Sequence, residues 1–136
     1  MLGQAIQLYR DNFQASEYLD QPYVSMGIPT VVASTDEEAQ YLATSSYQRI
    51  LNLIRGNSLK LKPPVKSTEG LASSAEQLAI QNFYAMAQIG SKDTVLAGLS
   101  KIIQQYDVDE FIFTCDIYDT QKRLDNFSLL MEIKHS

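Results

Sequence analysis

The chain holds 136 residues, 45% hydrophobic and 20% charged, enough for one small domain with one modest core and too apolar for a disordered tail. Eleven basic against sixteen acidic residues leave a net charge of −5, which argues against a surface built to track the phosphates of a nucleic acid. No apolar run approaches the ~20 residues a bilayer needs, and the lone histidine, His135, excludes a histidine-based triad or a multi-histidine metal site within one chain.

Residues 2–13 pattern as an amphipathic helix with Leu2, Ile6, Leu8, Tyr9 and Phe13 near one face. The segment MLGQAIQLYRDNF has neither the charged start nor the apolar middle of a signal peptide. QASEYLDQP is a loop, and PYVSMGIPTVVAS reads as extended, with Val24, Met26 and Ile28 alternating before Thr30, Val31 and Val32. Pro29 cannot donate to a ladder, so an edge, a bulge or a strand start is expected beside it.

The next helix is the clearest. Thr35 stands at its N-cap with Glu38 three residues on, and Ala39, Leu42, Ala43, Tyr47, Ile50 and Ile54 form its apolar stripe. Arg55 and Gly56 close it. Residues 56–72 carry two prolines and three lysines with no usable period, which suits a mobile loop or lid.

Ser73 or Ser74 then opens a helix expected to reach about Gln88 and to bury Leu78, Phe83 and Met86 or Ala87. Another starts at Ser91 after Gly90, with Val95, Leu96, Leu99, Ile102 and Ile103 on one face. The turn YDVD feeds a strand at residues 110–115, and Asp119 caps a last helix bearing Leu124, Phe127, Leu130 and Met131.

Strands alternating with amphipathic helices imply βα units and a parallel sheet, so the fold class is α/β. FIFTC shows no polar alternation, and both its faces call for cover. Only two strands are visible beside four to five helices, and two strands make a marginal sheet. The expectation is a single partial domain over residues 1–136 that completes its sheet with other polypeptide. Self-association to a homodimer or higher oligomer is one route.

Four segments, LYRDNFQASEYLDQPYV, ASTDEEAQYLATSSYQRILNLIRG, IGSKDTVLAGLSKII and DEFIFTCDIYDTQKRLDNFSLLMEI, together resemble the C-terminal part of bacterial-luciferase-like (alkanal monooxygenase-like) flavin monooxygenases. The resemblance runs through nearly the whole chain in the same order. It implies the C-terminal portion of a (β/α)₈ TIM-type barrel, incomplete here: the last two barrel strands, which are parallel, their helices and an insertion between them. A whole barrel takes ~250 residues. The missing N-terminal barrel portion then becomes an expected partner.

The resemblance further implies reduced flavin mononucleotide (FMN), oxygen and a small organic or aldehyde substrate for the complete enzyme, with a flavin reductase as its supplier. Barrel sites lie at the carboxyl ends of the strands, which places Ser34, Thr114, Asp116 and Tyr118 as pocket-rim candidates. Each also has a plain structural reading: Asp116 in a turn, Tyr118 in packing, and Cys115 as a small core hydrophobe with nothing adjacent to make it a nucleophile.

Gly90-Ser91 before a helix could hold a phosphate or be an N-cap. Lys60, Lys62 and Lys66 could attract an anion or be a solvated face. Asp36-Glu37-Glu38 and Asp107-Asp109-Glu110 read as helix-start and turn chemistry. No residue is assigned as catalytic or as a metal ligand. The single cysteine, unable to form an internal disulfide, suits a cytoplasmic location. Three readings result: part of a flavin-dependent monooxygenase, inactive alone; a non-catalytic, self-associating interaction module; or a small stand-alone α/β binding domain unrelated to that family, which needs at least one strand more than the two visible.

Overall fold

The computed structural model of the chain describes residues 1–135. Helix α1 (Leu2–Asp11) precedes strand β1 (Ser25–Ala33) and the long helix α2 (Asp36–Ile54). After residues 55–73 come α3 (Ser74–Phe83), β2 (Gln88–Ser91), α4 (Lys92–Tyr106), β3 (Glu110–Thr114) and α5 (Thr120–Lys134).

The sheet has three parallel strands in the order β2-β1-β3, one more than the two expected. The added strand is β2, which the expected helix to Gln88 had absorbed. The helix stops at Phe83, and Gln88 to Ser91 pair with Thr30 to Ala33. Four residues of QIGS carry little strand propensity; what makes them a strand is the free upper edge of β1. Leu78 and Phe83, expected inside, are exposed, and Ile80 is the buried residue of α3. The five helices and the α/β class are as expected.

Amide direction alternates along β1. Val24 O accepts from the N–H groups of Asp109 (3.0 Å) and Glu110 (3.2 Å). Even-numbered residues therefore turn their backbone groups toward β3, and odd-numbered ones turn away from it. Pro29 is odd, and pairing with β2 begins only at Thr30. Its missing N–H faces a stretch of edge with no neighbour, so a proline is tolerated mid-strand.

Val32 is even, but β3 ends at Thr114, opposite Pro29. No strand remains to take the Val32 N–H. Asn126 of α5 does so instead, its Oδ1 accepting at 2.7 Å from a fully buried position.

The helix-side face of the sheet carries Met26, Ile28 and Val32 against Ile6, Val95, Leu99, Ile102, Leu130 and Ile133. On the other face Val31 and Ala33 pack on Ala39, Leu42, Ala43 and Ile117. Lower on that face Ser25 and Gly27 are exposed. FIFTC was expected to need cover on both faces; only one has it. Phe111 and Phe113 turn to the helices, whereas Ile112 is 56% exposed on the bare side.

The α2 stripe, expected to outrun the available sheet, largely finds a partner in the segment between the main strands. Ile50, Leu51 and half-buried Tyr47 meet Ile80 and Tyr84, leaving Ile54 exposed.

Side-chain caps fix the ends. Thr35 accepts from Glu38 N at 3.1 Å, but the Glu38 carboxylate is drawn to Lys122, so only half of the expected box forms. The box at Ser73 and Glu76 is complete. Arg10 donates to the carbonyls of Tyr106 (2.8 Å) and Asp107 (2.7 Å), answering the unpaired carbonyls that end α4. The loop over residues 56–72 is tied to α2: Gln48 donates to Pro63 O (3.1 Å), and Val65 N donates to Thr44 Oγ1 (2.9 Å).

Candidate functional site

The carboxyl end of β3 and the middle of β1 open onto a shallow depression, lined among others by Thr30, Val31, Ser46, Tyr84, Ile89, Thr114 and Asp116. Of the four residues expected on the rim, Thr114 and Asp116 line it, whereas Ser34 and Tyr118 do not. Ser34 and Tyr118 are both exposed.

Each polar group in the depression has a structural origin. Thr30 Oγ1 donates to Thr114 O at 3.1 Å, stitching the top of the β1–β3 ladder. Asp116 Oδ2 receives both Nε (2.7 Å) and Nη2 (2.6 Å) of Arg49 on α2. Both side chains stay about one-third exposed, which keeps the worth of this ion pair low, ~0–1 kcal/mol. Ser46 and Tyr84 share a hydrogen bond between their hydroxyls. Burial raises the Tyr84 pKa above the ordinary phenol value, outweighing the opposing pull of Ser46 and Arg49, so the ring remains neutral at physiological pH.

Arg49, Ser46 and Tyr84 were not singled out from the sequence. One signal was available: Ser46 falls on the apolar stripe of α2 between Ala43 and Ile50, where a hydroxyl requires a partner. That partner lies 38 residues away. Chemically the depression offers hydroxyls and the Asp116 carboxylate, held by Arg49 from α2, to hydrogen-bond one small polar group. It offers no poised base.

Cys115 is half-buried beside Val31 and Ile117, and burial lifts its thiol to about 11. At pH 7.5 its thiolate fraction is then roughly a hundredfold or more below that of a free cysteine. Iodoacetamide should label the folded chain correspondingly slowly and the urea-unfolded chain at the ordinary rate. Fast labelling of the folded chain would show the thiol to be open and activated.

Gly90 and Ser91 form a cap, with Ser91 Oγ accepting from Thr94 N. The Ser91 N–H, which a phosphate would need, already donates to Asp36 Oδ1 at 2.7 Å. That hydrogen bond is the chief reason the Asp36 pKa lies below the usual carboxylate value. A Cβ on Gly90 would come within 2.7 Å of the same oxygen, so the carboxylate fills the place an anion would take. Lys60, Lys62 and Lys66 are exposed on the long loop. Among the described residues no cluster of histidine, cysteine and acidic side chains could hold a metal ion, and no helix is long and apolar enough to cross a membrane.

This depression does not fit a whole flavin. It is shallow and open to solvent, with enclosed room for about one water, and the helix N-terminus is taken by Asp36.

Fold and site together define an open, three-stranded parallel α/β unit, consistent with part of a βα barrel, with a shallow, mainly apolar depression beside the carboxyl end of β3. No family model matches the chain. It is 37% identical over 134 residues to the luciferase-like monooxygenase of Escherichia coli strain K12, covering 98% of this chain and 40% of that protein. It is 33% identical over 129 residues to the uncharacterized protein YvbT of Bacillus subtilis, covering 95% of this chain and 38% of YvbT. The crystal structure of apo-MsnO8 is similar in fold, with a TM-score of 0.76 at 21% identity over 98% of this chain and 41% of that one. The chain is therefore similar along its whole length to luciferase-like monooxygenases, and it spans about two-fifths of the length of these curated relatives.

Proposed function

We propose that this chain supplies one wall of the active site of a luciferase-like, flavin-dependent monooxygenase and does not turn over by itself. The observation that carries this is the depression at the carboxyl end of β3: mostly apolar with a few polar groups, and too small for a flavin. In the complete enzyme reduced FMN would supply the oxygen chemistry, a small organic or aldehyde substrate would receive the oxygen, and a flavin reductase would deliver the cofactor. Thr114 and Asp116 would then border the ligand. Tyr118 and Ser34 would stand at the outer rim. The half-buried free thiol of Cys115 suits a cytoplasmic setting.

Titrating the isolated chain with FMN, oxidised and reduced, should give no saturable fluorescence change at micromolar concentration. Reduced FMN, oxygen and a panel of aldehydes should yield no product above the buffer reaction. Stoichiometric flavin binding or saturable turnover by the chain alone would overturn the reading.

A second reading, a non-catalytic module that self-associates, is favoured by the exposed apolar side chains of α3 and α5. In that case light scattering of the chain alone gives a two-fold dimer or a higher oligomer.

A further inference from the structure

We infer that the depression holds one ordered water, which accepts a hydrogen bond from the Ser46–Tyr84 hydroxyl pair and donates one to Asp116. The relay so formed ties the end of α3 to the segment that leaves β3.

Two hydroxyls carry two hydrogens, and the hydrogen bond between Ser46 and Tyr84 spends one of them. Whichever oxygen donates, the other keeps a hydrogen to place. On α4 the Ser100 hydroxyl gives its hydrogen to the carbonyl of Leu96, at 2.8 Å. Among the described residues no carbonyl or side chain takes the spare hydrogen of the Ser46–Tyr84 pair. Ser46 is buried and Tyr84 partly so, and a donor withdrawn from bulk water is rarely left unmet.

Acceptors stand in the same place. Arg49 occupies only Oδ2 of Asp116, and among the described residues no hydrogen bond reaches Oδ1. The Thr30 hydroxyl has given its hydrogen to Thr114 O, which leaves Thr30 Oγ1 able to accept. Asp116 lies near enough to the Tyr84 phenol to act on its pKa, as Arg49 does, yet no hydrogen bond joins the two side chains.

Ser46, Tyr84, Thr30 and Asp116 line one depression whose enclosed room suits about one water. A water there accepts the spare hydroxyl hydrogen and gives its own two hydrogens to Asp116 Oδ1 and Thr30 Oγ1. Three hydrogen bonds are the usual complement of a water held inside a protein. An ion is the competing occupant, but Arg49 repels a cation and Asp116 repels an anion. A small neutral molecule that both donates and accepts is what remains. With Arg49 on one oxygen and the water on the other, the Asp116 carboxylate is fixed from two sides, and Ser46 and Tyr84 act as its positioning residues.

A high-resolution crystal structure of the chain should show an ordered water within about 2.5–3.2 Å of Asp116 Oδ1 and of one of the two hydroxyls. In the double variant S46A/Y84F that position should lose its water. Chemical denaturation supplies a second readout through a double-mutant cycle between S46A/Y84F, taken as one change, and D116A. The two ends meet only through the water, so their losses should depart from additivity by about fivefold or more in the unfolding equilibrium constant. No water at that position, a direct hydrogen bond from Tyr84 to Asp116, or additive losses would each overturn the relay. No flavin enters either measurement, so the outcome is independent of the monooxygenase reading.

Discussion

Replacing Asn126 with leucine is expected to destabilise the chain by about 1–3 kcal/mol, the cost of leaving a buried donor without an acceptor. The donor is Val32 N–H, in the central strand and 2.7 Å from Asn126 Oδ1. Leucine has the same branching and leaves no cavity, but it is larger, so some overpacking adds to the lost hydrogen bond. Thermal unfolding should show the midpoint falling by roughly 10 °C at the upper end of that range. Asn126→Asp keeps an acceptor but brings a charge to a site with no exposure, and it should be no more stable than the leucine variant. The Asn126 Nδ2 has no partner among the described residues, so asparagine is already an imperfect fit there, and the acceptor alone accounts for its worth. A leucine variant as stable as the parent would mean that Val32 finds another acceptor once the amide is gone.

The second large effect separates the two faces of the sheet. Ile28 is fully buried among Ile6, Met26 and Ile102, and Ile28→Ala should cost about 2–5 kcal/mol through lost transfer energy and the cavity left behind. Ile112, on β3 next to β1, is 56% exposed on the uncovered face. Ile112→Ala should stay within about 0.5 kcal/mol in the isolated chain. Chemical denaturation of both variants at low protein concentration makes the comparison. A comparable loss at Ile112 would show that the bare face is covered in solution, and raising the protein concentration would reveal by what.

Much of the helical structure was legible because helix signals are local. Thr35, Ser73, Ser91 and Asp119 each accept from the backbone N–H three residues on, as their positions before apolar-periodic runs implied. The stripe of α4 was right at Val95, Leu99 and Ile102, while Leu96 and Ile103, one residue round the helix, remain partly exposed. The errors fall where a segment takes its state from a distant one. QIGS is a strand only because Val31 and Ala33 present unpaired groups to it, and α3 rotates to bury Ile80 instead of Leu78 because α2 offers Ile50 and Leu51 there.

The candidate site divides along the same line. Thr114 and Asp116 could be placed from their position just past an apolar strand. Ser46 and Tyr84 reach the same depression from α2 and from the end of α3, 38 residues apart, and Arg49 holds Asp116 from 67 residues away. No local pattern links such separations. The sequence by itself determined the α/β class, the caps and much of the helix faces, because periodicity and short-range hydrogen bonding act within a few residues; the likeness to luciferase-like monooxygenases came from the resemblance of four ordered segments. Tertiary structure alone decided the third strand, the filling of the α4 N-terminus by Asp36, the Asn126 plug and the one bare face of β3. Each depends on where unsatisfied backbone groups and apolar area are left after the other elements have packed.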